Sequence, residues 1–273
     1  MQYTISFNGA NFVARETGWH MTGGWGQGND AAEAYFRPIA TFEQRFSEVV
    51  AEVRRLGFTG MDLWTAHLHY SWATPEHIAT AKKVLAEYDV SVPTIAGSFG
   101  STREQFRSAC QLAHDLGASV LAGIDSGRMA ETDRDYVTGT LREFDLRVGL
   151  ENHPERTSAE MIEHIGAEPG GRIGTAVDTG WYGTQGYDAA QAIRELDAHV
   201  VAVHLKDIRA QGEHDTCRFG DGIVPVQDCV RALTDIGYTG PISIEHEPYT
   251  YNPASEIVVC REMLESWLSE QAG

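Results

Sequence analysis

What the chain lacks narrows its roles first. Its four cysteines, Cys110, Cys217, Cys229 and Cys260, show no CxxC spacing. Free intracellular thiols are therefore expected, rather than disulfides or a zinc site. Basic residues are scarce: 21 Lys and Arg stand against 39 Asp and Glu, for a formal net charge of −18. Nucleic acid and anionic membrane both demand clustered cations, so neither is expected as a partner. No apolar run reaches the roughly 18 residues that span a bilayer. The opening MQYTISFNGA has no basic segment ahead of an apolar one. No signal peptide is read there, and a cytoplasmic location is expected. No Pro- or Gly-rich linker divides the 273 residues, and one domain over 1–273 is expected.

What the chain has is alternation. Short apolar, often β-branched runs occur at 3–7, 60–64, 90–96, 119–124, 147–151, 174–178, 200–205 and 241–245. Runs of this length and composition suit strands buried on both faces, as in a parallel sheet. Helical patterns lie between them. One begins near Thr41, with Phe42, Phe46, Val49, Val50, Val53 and Leu56 at helical spacing and Gly57 as a C-cap. Others cover roughly 75–88, 102–116, 132–144, 157–165, 188–197, 226–236 and 254–269, and Thr157-Ser158-Ala159-Glu160 fits a capping box. Eight strands alternating with eight helices predict an α/β fold of the (β/α)8 TIM-barrel type, for which about 250 residues is usual. An open doubly wound sheet would place GxGxxG after the first strand, and the chain does not. The segment from Asn8 to Pro38 reads as a long loop, either a lid or a surface insertion.

Four strand-like runs end in a ligand-type residue: Glu151, Asp178, His204 and Glu245. Their spacings of 27, 26 and 41 residues are each about one strand–helix unit, the last lengthened by a loop. In a barrel, the C-terminal ends of the strands share one mouth. Three carboxylates gathered there repel one another unless a cation joins them. A divalent metal held by these four is therefore expected. Three oxygen donors and one nitrogen favour Mn²⁺ or Mg²⁺, with Co²⁺ and Zn²⁺ as alternatives.

The segments LENHPE (150–155), VDTG (177–180), HLKD (204–207) and ISIE (242–245) resemble the metal-site segments of the xylose isomerase-like barrel proteins, a family of sugar phosphate isomerases and epimerases. The resemblance covers nearly the whole chain and is most specific over 147–247. It implies a barrel, one Mn²⁺-type ion held by Glu151, Asp178, His204 and Glu245, and a dimer or tetramer. It also implies that Glu151 and Glu245 act as acid and base. Arg218, in RFGDG (218–222), resembles an arginine that contacts substrate in the family's loop after strand seven. Two positions depart from the ketose 3-epimerases: Trp181 stands where they carry His, and Thr157 where they carry a second Glu. The missing His, with the acidic charge, also argues against the DNA-repair endonuclease branch.

A metal so held polarises a carbonyl and stabilises the enediolate left when a neighbouring C–H proton departs. His153, two residues past Glu151, faces the same mouth by alternation and is a candidate general base. Lys206 stands in the same relation to His204 and can meet a substrate oxygen. Glu247, Trp181 and His67 are candidate substrate contacts, and Trp19, Trp25, Trp64 and Trp72 also fall on expected strand-end loops. The expected activity is a metal-dependent sugar isomerase or epimerase. The alternatives are a lyase cleaving 3-oxo-glycosides or dehydrating a keto-sugar by β-elimination, and a non-catalytic sugar- or metal-binding protein.

Overall fold

Eight parallel strands hold the buried apolar runs in one closed barrel. The structure is a computed structural model that describes residues 3–124, 128–168 and 170–271. The barrel strands are β1 (Thr4–Asn8), β2 (Gly60–Trp64), β3 (Ser91–Ser98), β4 (Val120–Ile124), β5 (Arg147–Glu151), β6 (Ile173–Asp178), β7 (Val200–Leu205) and β8 (Pro241–Ile244). Each pairs with its neighbours in sequence, and β1 closes the ring on β8 in the register Thr4↔Pro241 through Phe7↔Ile244. The expected strands match to within two residues at either end. Glu245 sits one residue beyond β8 rather than inside it.

Helices cover the outside of the barrel. Those over Ile39–Arg55, Pro75–Glu87, Arg103–Leu116, Arg134–Glu143, Ser158–Ile165, Ala189–Leu196, Val226–Asp235 and Ala254–Gln271 answer the eight sequence patterns. In Ile39–Arg55 the buried side chains are Phe42, Phe46, Val49, Val50 and Val53, the stripe the spacing predicts. Gly57 follows with φ of 91°, the left-handed geometry that ends a helix cheaply only at glycine. The capping box expected at Thr157 is half formed. Thr157 accepts from the Glu160 N–H, but the Glu160 carboxylate instead accepts from the Arg156 N–H. The complete box is at Thr74 and His77.

The expected loop between Asn8 and Pro38 contains a twelve-residue helix, Trp25–Phe36, and two short 3-10 turns. Gly26, Gly28 and the absence of a side-chain N-cap hide that helix from propensity. Tertiary packing supplies it: Ala32 and Phe36 are buried, and the Trp72 indole N–H donates to Glu33 at 2.9 Å. A two-stranded hairpin, Asp207–Ile208 with Thr216–Cys217, and a helix over Thr179–Gln185 were also not read from sequence. All four cysteines are buried free thiols. Among the described residues no helix is long and apolar enough to cross a membrane.

Candidate active site

At the C-terminal ends of the strands lies a cavity of about 400 Å³, with Glu151, His204 and Glu245 in its lining. Strand geometry explains the convergence. The register pairs Asp178 with His204, while Glu151 pairs with Ala176 and Glu245 lies two residues beyond Ser243, the partner of His204, so staggered neighbouring strands bring these ends to one mouth. His204 is the hub. Its Nδ1 lies 3.1 Å from Glu151 Oε1 and 3.2 Å from Glu245 Oε2. Its Nε2 lies 3.0 Å from Asp62 Oδ2, within ion-pair distance but off the line of a good hydrogen bond.

The proton affinities follow from these neighbours. Burial raises the Glu151 carboxyl to about 7, against the pull of the His204 ring. Burial also acts on Glu245, but the Lys206 ammonium and His204 hold that carboxyl below the usual carboxylate range. Burial disfavours a charged His204, yet Asp62, Glu151 and Glu245 raise its affinity well above the ordinary imidazole value. Burial and the Lys206 charge lower His153 to about 2, so its ring is neutral. Glu247 is pushed up by burial despite its contact with Lys206.

The four expected metal ligands divide into two groups. Donor atoms of Glu151, His204 and Glu245 lie within 4.8 Å of one another, and so do those of Glu151, His153 and Asp178. Between Asp178 and Glu245 sits the Lys206 ammonium, 3.0 Å from Asp178 Oδ2, 2.7 Å from Glu245 Oε1 and 3.1 Å from Glu247 Oε1. Asp178 also caps the helix behind it, accepting from the Trp181 N–H at 3.0 Å. Two carboxylates around one imidazole nitrogen make a donor set that fits a divalent cation of the Mn²⁺ or Mg²⁺ kind. Asp178 lies outside that set, its Oδ2 facing the Lys206 ammonium.

Other expected residues are sorted by distance from this mouth. His153, Trp181, Lys206 and Glu247 line the cavity, and so do Trp25 and Trp64. His67 does not. It is buried against Phe36 and Trp64, and desolvation lowers it to about 3, so it is a packed neutral ring behind the wall. Arg218 lies outside the lining, half-exposed and paired with Asp221 at 2.8 Å. Trp19 and Trp72 pack elsewhere, on Phe12 and His77.

Sequence reasoning missed Asn8, Asp62, His214 and Tyr249. Asn8 ends β1, and its Nδ2 donates to Glu245 Oε2 at 3.2 Å, so the strand-end rule could have found it. Asp62 carried a signal too, as the one charge inside the buried run GMDLW. His214 and Tyr249 come from loops and carry no local pattern.

The fold and this donor set define a class: a closed (β/α)8 barrel whose strand ends gather carboxylates around a histidine. The chain belongs to the xylose isomerase-like TIM barrel family, whose sequence profile matches residues 50–267. Among characterised proteins it is similar to L-ribulose-5-phosphate 3-epimerase UlaE of Salmonella paratyphi A, with 32% identity over 84 residues, 30% of this chain and 29% of that protein. The UlaE protein of Shigella boydii is 36% identical over 73 residues, 26% of this chain and 25% of the relative. The match thus spans under a third of these relatives. In fold, the chain resembles a xylose isomerase-like TIM barrel protein from Mycobacterium smegmatis in complex with magnesium, with a TM-score of 0.73, 15% identity and coverage of 100% of this chain and 98% of that one. It also resembles an L-ribulose 3-epimerase, with a TM-score of 0.70, 17% identity and coverage of 99% and 96%.

Proposed function

We propose that the chain is a divalent-metal-dependent ketose epimerase or isomerase that works by proton abstraction beside a carbonyl. One observation carries the reading. Glu151 and Glu245 flank one His204 nitrogen, and their surroundings push their proton affinities in opposite directions. Paired carboxylates tuned apart are the arrangement expected of an acid and a base that exchange roles. The epimerase names of the two relatives support the same direction.

Glu151, His204 and Glu245 would hold the ion, and Asp178 and His153 stand beside Glu151. When bound, the ion supplies positive charge at the carbonyl and makes the neighbouring C–H acidic. One glutamate removes the proton, leaving an enediolate, and the other returns a proton to the opposite face or to the adjoining carbon. Lys206 holds Glu245 ionised and ready to accept. The neutral His153 and the Trp181 ring beside it close one side of the cavity against water.

The test is deuterium exchange into ketoses in D2O, followed by NMR, on the Mn²⁺-loaded protein. Exchange with epimer formation is expected. Glu151→Gln and Glu245→Gln should each lower kcat by about 10²–10⁴-fold and weaken metal retention. Full turnover by metal-stripped protein would overturn the reading. Release of an eliminated group in place of an epimer would move the assignment to a lyase.

A further inference from the structure

The loop after β7 folds its backbone amides around an anion, and the anion is the protein's own. Barrel enzymes commonly hold phosphate with the loops after the seventh and eighth strands, where N–H groups converge. Here the N–H groups of Ile208, Gly220, Gly222 and Val224 all donate to the carboxylate of Asp207, at 2.9, 2.9, 3.1 and 3.0 Å. Asp207 is fully buried. An added Cβ on Gly222 would stand 2.3 Å from Asp207 Oδ1, so nothing further fits between loop and carboxylate. In the loop after β8 the leading amides are taken as well. Those on His246 and Glu247 donate to Asn11 Oδ1 and Thr216 Oγ1.

The cavity side chains carry the same message. Among the described lining residues, Lys206 is the one lysine and no arginine contributes. Its ammonium already contacts Asp178, Glu245 and Glu247. Asp125, Ser126 and Gly127, which follow β4, lie outside the described residues and include no base in sequence. A phosphate dianion would find the Lys206 ammonium already engaged, and the amide cradle described after β7 already filled. The rest of the wall is ring and alkyl surface from Trp25, Trp64, Trp181, Tyr249 and Ile124, which suits the C–H faces of an uncharged sugar.

We infer that the substrate is an unphosphorylated, electrically neutral ketose or ketose derivative. Asp207 fills the amide cradle, and Asp178, Glu245 and Glu247 occupy the one ammonium of the described wall, so phosphorylated counterparts are kept out. The inference rests on the ketose reading above for the reaction, and on the loop and the cavity for the charge of the ligand.

Two readouts test it. In D2O exchange, Mn²⁺-loaded protein is given free ketopentoses and ketohexoses beside their terminal phosphate esters. The free sugars should have kcat/KM about 100-fold or more above the esters, the scale expected where like charges meet in a confined site. In binding, tryptophan fluorescence should change saturably with free ketose and stay flat with the esters and with inorganic phosphate. Glu247→Gln should narrow the ratio of free to esterified kcat/KM at least about tenfold, because it releases one of the three contacts that hold the Lys206 ammonium. An ester handled as well as its free sugar, or saturable binding of inorganic phosphate, overturns the inference and leaves proton abstraction standing. Fluorescence that answers free ketose alone, with no exchange, supports the inference and sinks the epimerase reading.

Discussion

Burying a carboxylate without well-aligned hydrogen bonds is costly, and Asp62 is held that way in the middle of β2, beside the His204 ring. Its position explains its retention. With Asp62 facing Nε2, the ring turns Nδ1 toward Glu151 and Glu245, where a metal would be received. A carboxylate behind a ligating histidine fixes both tautomer and ring angle. Asp62→Asn preserves the shape and removes the charge. It should weaken Mn²⁺ affinity by about 10–100-fold, read by fluorescence titration of metal-stripped protein, with the fold unchanged by circular dichroism. Unaltered affinity would show that the ring is oriented without it. At this scale the candidate site was legible in the sequence where it coincides with strand ends, as at Glu151, His204 and Glu245, which the structure brings together. Asp62 left a fainter signal, a lone charge inside a buried strand, and it reaches the site only through another side chain. Lys206 was read as a candidate at the mouth, but its seat between Asp178 and Glu245 was not, because it depends on a lysine stem crossing from one strand to its neighbours.

Among the elements, the helix Trp25–Phe36 was the least visible beforehand and is the one that brings a side chain over the mouth. The Trp25 indole N–H donates to Glu247 Oε2 at 2.7 Å, and the Met21 N–H donates to the Tyr249 carbonyl at 3.1 Å. Gly28 makes the seating possible. In an open helix, replacing glycine with alanine stabilises by about 0.5–1 kcal/mol. Here the added Cβ would lie 2.2 Å from the Val13 carbonyl oxygen and 2.4 Å from Met21 Sδ. Overpacking of that kind costs about 1–3 kcal/mol, so the clash outweighs the propensity gain. Gly28→Ala should therefore lower Tm and raise KM, checked by a thermal melt and steady-state kinetics. A higher Tm would mean that the segment is free to shift. The glycine pair that suppressed the helical expectation is thus half explained by contact: Gly28 is needed for packing, whereas Gly26 has nothing within 4 Å.

Over the molecule as a whole, the barrel was legible because its signal is repeated eight times, so that errors of a residue or two at each boundary did not disturb the alternation. The excess of acid is a whole-molecule property as well. A formal charge of −18 repels itself in the compact state. Surface pairs such as Arg107 with Glu143 and Arg103 with Asp133 oppose this, but exposed pairs are screened by solvent and contribute little. Self-repulsion should dominate at low ionic strength. The Tm of metal-stripped protein should rise as salt goes from about 0.01 M to about 0.1 M, where the Debye length falls from about 30 Å to about 10 Å. A falling Tm would assign the larger share to the surface pairs.

Closure of the barrel has a consequence in time. Asn8 ends β1 and Glu245 follows β8, the two strands whose pairing completes the ring. A chain still being synthesised can form the first seven strands and display Glu151, Asp178 and His204, yet it has no Glu245 to set beside them. Any ion it met then would be held by an unfinished set of donors in contact with water. The group of Glu151, His204 and Glu245 is therefore assembled only when β8 closes on β1, at the last step of the chain's path around the barrel.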